Sequence, residues 1–132
     1  MEMRHKDTNE RLEALAYEVI GAAIEVHSQI GPGFSESVYH NALAYELELR
    51  GIGYETEKQV LVVFKGRRVG EGFIDLLVDE QLVIELKAVE ELNRTHKAQV
   101  ASYLKAAGLR LGLLINFNKA VLKDGIQRVL NA

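Results

Sequence analysis

Gly72-Phe73-Ile74-Asp75-Leu76-Leu77-Val78-Asp79-Glu80-Gln81-Leu82-Val83-Ile84-Glu85-Leu86-Lys87 is the stretch that decides the fold. Two apolar runs, 73–78 and 82–88, flank the polar tip Asp79-Glu80-Gln81 and read as a β-hairpin. Side chains alternate along a strand, so Glu85 and Lys87 project from the same face. A three-residue turn at 79–81 sets Asp75 directly opposite Glu85, with Cβ atoms about 4.5–5.5 Å apart. Two carboxylates that close repel each other unless a cation lies between them. Oxygen donors of this kind suit Mg²⁺ or Mn²⁺. A lysine two residues on brings a positive charge to the same point. Two acids, a divalent metal and a lysine on one hairpin are the components of phosphodiester chemistry.

Upstream of the hairpin, 54–65 is β-rich and Gly66 marks a turn, so strands at 54–65, 68–78 and 82–88 form an antiparallel meander. Two helices precede it. The first spans 8–29, capped by Thr8 or Asn9, with Leu12, Leu15, Ala16, Val19, Ile20, Ala23 and Ile24 at helical spacing. His27 at its end reads as structural. Gly31-Pro32-Gly33 stops this helix, and Ser35 caps a second over 36–50, closed by Gly51. The glycine-rich loop lacks the Gly-Lys-Ser/Thr of a nucleotide P-loop and follows a helix rather than a strand. Glu36 lies in the first turn of the second helix, where an acid complements the helix dipole. Tyr39 and Leu43 share its face, which turns Glu36 partly towards the interior.

Downstream, Asn93 or Thr95 caps a third helix ending at Gly108. Val100, Leu104 and Ala107 form its core stripe, and His96, Gln99 and Tyr103 lie on a neighbouring face. Arg94 and Lys97 stand in its first turn, where the dipole prefers acids; a solvated face or a nearby anionic ligand accounts for them. Leu111–Phe117 is almost continuously apolar and suits a strand buried on both faces. A final edge strand at 125–130 completes the order ααβββαβ(β), an α/β fold with a mixed sheet flanked by helices.

With 132 residues and 48% hydrophobic composition, the chain is expected to form a single domain over 1–132, with 1–8 a loose N-terminal segment. The absence of cysteine excludes a disulfide scaffold, cysteine catalysis and a thiolate zinc site. No apolar leader or membrane span is visible, so a cytoplasmic location is expected. Net charge is −3, yet residues 1–64 carry 5 Lys/Arg against 11 Asp/Glu, while 65–132 carry 11 against 8. A polyanion can be met locally by that second half despite the acidic total.

Four elements carry a resemblance: Glu36 on a helix, Gly72-x-x-Asp75, Glu85-x-Lys87, and Gln99-Val100-Ala101-Ser102-Tyr103 on the helix that follows. Together the chain resembles the PD-(D/E)xK nuclease superfamily, with its restriction-endonuclease-like core. The RecB-like branch, with its Gln-hydrophobic-x-x-Tyr signature, is closest. More narrowly, Gly33-Phe34-Ser35-Glu36-Ser37-Val38-Tyr39 is similar to the signature of the GxxExxY family, as is the Leu-Ile-Asn-Phe run at 114–117. The resemblance covers residues 10–130. Ile74 stands where the superfamily's proline would precede the aspartate.

The resemblance implies a catalytic set of Glu36, Asp75, Glu85, Lys87, Gln99 and Tyr103. Asp75, Glu85, the Leu86 carbonyl and Glu36, directly or through water, would bind Mg²⁺ or Mn²⁺, which activates a water and neutralises phosphate charge. Lys87 would orient or help deprotonate that water, or stabilise the transition state. Gln99 would hold a water or a phosphate oxygen. Tyr39 and Tyr103 would pack under these groups or touch nucleic acid, with Arg94, His96 and Lys97 as backbone contacts. The expected partner is nucleic acid, DNA rather than RNA, with no membrane and with a homodimer as one assembly. The expected activity is a metal-dependent nuclease. The alternative is a catalytically weak or inactive binding or assembly module on the same scaffold.

Overall fold

The computed structural model describes residues 2–131, with side chains from Asn9 onward. Helix α1 (Glu2–Ile30) and helix α2 (Glu36–Leu49) precede β1 (Tyr54–Phe64), β2 (Arg67–Val78) and β3 (Leu82–Lys87). Helix α3 (Arg94–Ala107), β4 (Leu111–Asn116), a 3₁₀ turn (Leu122–Gly125) and β5 (Ile126–Leu130) follow. The five strands form one sheet in sequence order. β3 and β4 are parallel, joined by α3, and every other neighbouring pair is antiparallel. A parallel pair needs such a crossover, and the helix in it covers one face of the sheet.

Alternation along β3 shows how the faces divide. Leu82, Ile84 and Leu86 pack with α1 and α2 residues such as Val19, Tyr39 and Leu43. Val83 packs on the opposite face with Val100 and Leu104 of α3. β4 lies between these layers and is buried at every position, as its unbroken apolar run anticipates. Gly112 lets α3 approach it: a Cβ there would come within 2.6 Å of Val100 Cγ1.

Two helix starts differ from expectation. The α1 backbone already runs from Glu2, so Thr8 and Asn9 lie inside the helix instead of capping it. The loose segment expected at 1–8 falls outside the described side chains. Ser35 occupies the N-cap position of α2 but makes no capping bond; its hydroxyl faces that of Ser37 at 3.0 Å. Asn93 does cap α3, accepting from His96 N–H at 3.0 Å. Gly51 (φ 72°) and Gly108 (φ 68°) take the left-handed conformation that closes α2 and α3. His27 is structural as read: its Nε2 lies 2.7 Å from the Lys119 carbonyl oxygen.

Candidate nuclease site

The β2–β3 hairpin sets the site. Its tip places Asp79 and Glu80 in the left-handed region (φ 51° and 58°), and the ladder runs Val78↔Leu82, Leu77↔Val83, Leu76↔Ile84. The next residues out are Asp75 and Glu85. There the strands are joined by their carboxylates instead of by backbone pairs. Asp75 N–H donates to Glu85 Oε1 at 3.0 Å, and Leu86 N–H donates to Asp75 Oδ2 at 2.9 Å. Each acid is thereby clamped by the other strand's main chain, so both oxygens are held without help from long, mobile side chains.

Asp75 also marks a break in alternation. Ile74 packs in the α3 cluster, whereas Leu76, two residues on, packs with α1 and α2. The cause lies on the neighbouring strand. The β1–β2 register is continuous through Thr56↔Leu76 and resumes at Lys58↔Ile74. Between them, Glu57 has φ 50° and stands across from Asp75. A non-glycine residue held there costs energy and persists where surrounding structure imposes it. Asp75 lines a cleft of about 400 Å³ with Glu36, His40, Glu57 and Leu86.

Glu85 is 3% exposed. Burial first, and then the negative charge of Asp75, push its pKa up to about 8. Lys87, half-buried two residues on, works in the opposite sense and favours the charged form of Glu85. Its backbone is fixed at the strand end: Phe117 N–H donates to the Lys87 carbonyl at 2.9 Å. Buried Asn116, paired with Lys87 in the parallel ladder, ties down the following chain through Val89.

The Gly72-x-x-Asp75 spacing has a steric basis. A Cβ on Gly72 would meet Tyr103 Cε1 at 2.6 Å, so the glycine lets the tyrosine ring lie on the β2 backbone. The Tyr103 hydroxyl accepts from Gln99 Nε2 at 3.3 Å. Burial and the nearby charge of Glu85 raise the Tyr103 pKa. Gln99 and Tyr103 are thus brought to the two acids as a unit.

Other expected site residues are placed differently. Glu36 is exposed at the cleft rim instead of turning inward, because the Gly31–Ser35 loop starts α2 at the surface. Tyr39 is fully buried. Its hydroxyl donates to the Gly31 carbonyl at 2.6 Å and accepts from Phe34 N–H at 3.1 Å, and its ring stacks on Phe117 at 4.6 Å. It packs on Phe117 and the Gly31–Phe34 loop, and that burial leaves no surface for the expected contact to nucleic acid. Arg94 and Lys97 line a separate cleft with Arg128, between α3 and β5. The His96 ring accepts from Asn93 N–H at 3.2 Å, completing a capping box.

The sequence reading missed His40 and Glu57. The His40 Nε2 lies 3.1 Å from the Asp75 carbonyl oxygen and 4.0 Å from Glu57 Oε1. Neither carried a signal: Glu55-Thr56-Glu57-Lys58 reads as a solvated strand, and a lone helical histidine fits no motif.

Among the described residues no group of three or more His, Asp or Glu side chains is gathered to hold a metal. Two acids and a backbone carbonyl nevertheless fit Mg²⁺, which binds through one or two carboxylates and keeps several waters. The raised pKa of Glu85 marks a buried charge that such a cation would stabilise.

A mixed sheet between helical layers, with an acid pair where its central hairpin opens and a lysine beside it, defines a restriction-endonuclease-like nuclease fold. The chain belongs to the PD-(D/E)XK nuclease superfamily, whose model matches residues 13–129. Members of this superfamily are usually nucleases and generally use divalent metals. Among solved structures the chain is similar to one described as the crystal structure of SSO0001, with 22% sequence identity and a TM-score of 0.54. The match covers 72% of this chain and 49% of that one, so the chain spans about half the length of that protein, and the likeness is one of fold. No curated protein matches. Among the described residues no helix is long and apolar enough to cross a membrane.

Proposed function

We propose that this protein is a divalent-metal-dependent nuclease that hydrolyses phosphodiester bonds, with DNA as its substrate. The observation that carries the reading is the reciprocal clamp of Asp75 and Glu85, which holds two close carboxylates in a partly desolvated site. Asp75, Glu85 and the Leu86 carbonyl would hold Mg²⁺ or Mn²⁺, with Glu36 joining from the cleft rim through water. Bound there, the ion supplies a more acidic water and neutralises charge on the phosphate.

The chain's own groups do the rest. Lys87, on the same face of β3 as Glu85, sets a fixed positive charge beside the phosphate as negative charge develops on it. The Gln99 amide, held by Tyr103, orients a water or a phosphate oxygen. His40 steadies the Asp75 main chain from α2. Superfamily membership and the net positive second half of the chain support a nucleic-acid substrate. The preference for DNA and the placement in the RecB-like, GxxExxY branch rest on the motif resemblance. One observation favours a second reading, a weak or inactive binding module: no third side-chain ligand is gathered with the two acids.

The test is cleavage of labelled single- and double-stranded DNA and RNA with Mg²⁺, Mn²⁺ or EDTA, beside Asp75→Ala and Lys87→Ala. Metal-dependent cutting of DNA, lost in both variants, is expected. A folded wild type that neither cuts nor gains melting temperature with metal would refute the nuclease reading and favour the module.

A further inference from the structure

β1 is an edge strand, with β2 on one side and no strand on the other. Native edge strands are commonly short, charged or covered, because their open N–H and C=O groups pair readily with another strand. β1 departs from this. It runs 11 residues, and four consecutive apolar side chains on it, Leu61, Val62, Val63 and Phe64, are 46, 45, 58 and 62% exposed. Consecutive exposed apolar residues of this kind mark a surface that something covers.

The charge pattern identifies the occupant. Glu57 lies in the first half of β1 and Lys65 just past its end, while Glu55 is paired with Lys58 and Arg68 with Glu71 within the chain. An antiparallel copy centred on Leu61 sets Glu57 of each chain opposite Lys65 of the other. A parallel copy would set like charges together. We propose that β1 is the homodimer interface, pairing antiparallel with β1 of a second chain about a two-fold axis close to Leu61.

Beside the edge lies a groove of about 520 Å³, lined on the strand by Leu61, Val62 and Val63 and on α3 by Ser102, Lys105 and Ala106. Ser102 and Ala106 are small and leave room beside Tyr103 and Lys105 for apolar side chains of the partner. The irregularity between Val62 and Val63 limits the regular ladder, so these side-chain contacts supply much of the interface. The four exposed side chains and the strand edge bury about 1,000–1,200 Å² over both copies, at the low end for specific interfaces. The axis is perpendicular to the joined sheet, so both copies turn the same face of the sheet the same way. The proposal is independent of the nuclease reading.

Sedimentation velocity over micromolar concentrations, together with cross-linking, tests it. The wild type is expected to shift from 14.8 kDa to twice that mass, and Leu61→Lys with Val63→Lys to stay monomeric with an unchanged circular dichroism spectrum. The chain has no cysteine, so Leu61→Cys with a short bis-maleimide reports this contact alone. It should give a covalent dimer, and Leu130→Cys on the opposite edge should not. Glu57→Lys should weaken the dimer more than tenfold, and adding Lys65→Glu should restore it. A wild type that stays monomeric throughout overturns the proposal, leaving the edge to a strand of another protein. Cross-linking through Leu130→Cys as efficient as through Leu61→Cys overturns it as well.

Discussion

Replacing Glu85 with glutamine should stabilise the metal-free protein and abolish its response to metal. Glutamine keeps the shape of the side chain and its carbonyl can still accept from Asp75 N–H, as Glu85 Oε1 does. Only the ionisable group is lost. In the fold the Glu85 pKa rises from 4.5 to about 8, so the folded state binds more protons than the unfolded chain across that window. The stability contributed by the protonated carboxyl is therefore fully present below about pH 4.5. It is lost as pH rises to about 8. At 1.36 kcal/mol per pH unit, a rise of this size corresponds to at most about 5 kcal/mol. Glu85 sits beside a second carboxylate and is not fully desolvated, so about 2–5 kcal/mol is the working range.

Urea denaturation in EDTA, repeated from pH 5 to pH 9, measures this directly. The stability difference between Glu85→Gln and wild type should be near zero at the acid end and reach about 2–5 kcal/mol above pH 8. In thermal melts that is about 10 °C for a domain of this size. Magnesium binds only the folded state, so it should raise wild-type stability most at high pH, where the carboxylates are ionised. The variant should not respond. A pH profile of Glu85→Gln parallel to that of the wild type would refute the reasoning, because Glu85 would then titrate alike in both states.

Three further outcomes follow from the same geometry. Lys87→Ala should keep the magnesium-induced rise in melting temperature yet lower cleavage by about 10²–10³-fold; thermal melts and single-turnover rates separate the two. Gly72→Ala should push Tyr103 off the β2 backbone, costing about 1–3 kcal/mol in urea denaturation and reducing cleavage through the displaced Gln99. Tyr39→Phe leaves the stacking on Phe117 but removes the bonds to Gly31 and Phe34. It should destabilise by about 1–2 kcal/mol without altering nucleic-acid affinity in a binding titration, which a surface tyrosine would alter.

The fold was legible because its signals were local. The Asp79–Gln81 tip and the alternating runs beside it fix the register that brings Asp75 to Glu85. The unbroken apolar run of β4 requires cover on both faces, and the helical pattern before it supplies one cover. Glu36 was misjudged for a physical reason. Helical periodicity gave its angular position but not the depth of the helix end, which is set by the Gly31–Ser35 loop and the buried Tyr39 hydroxyl that holds it.

What sequence could not supply was the change of face at Asp75. Period-two alternation assumes an unbroken strand, and on that assumption Ile74 and Leu76 share a face. They do not, because Glu57, 18 positions earlier, adopts a left-handed conformation across from Asp75. Nothing in Glu55-Thr56-Glu57-Lys58 encodes this. The preference comes from the folded surroundings: His40 reaches the Asp75 carbonyl from α2, and the two acids replace the ladder bonds that would have kept the strand regular. The same break that defeats the pattern turns Asp75 into the cleft. A regular strand would have kept the backbone pairs and left the carboxylates unclamped, so the irregularity and the acid site are one feature.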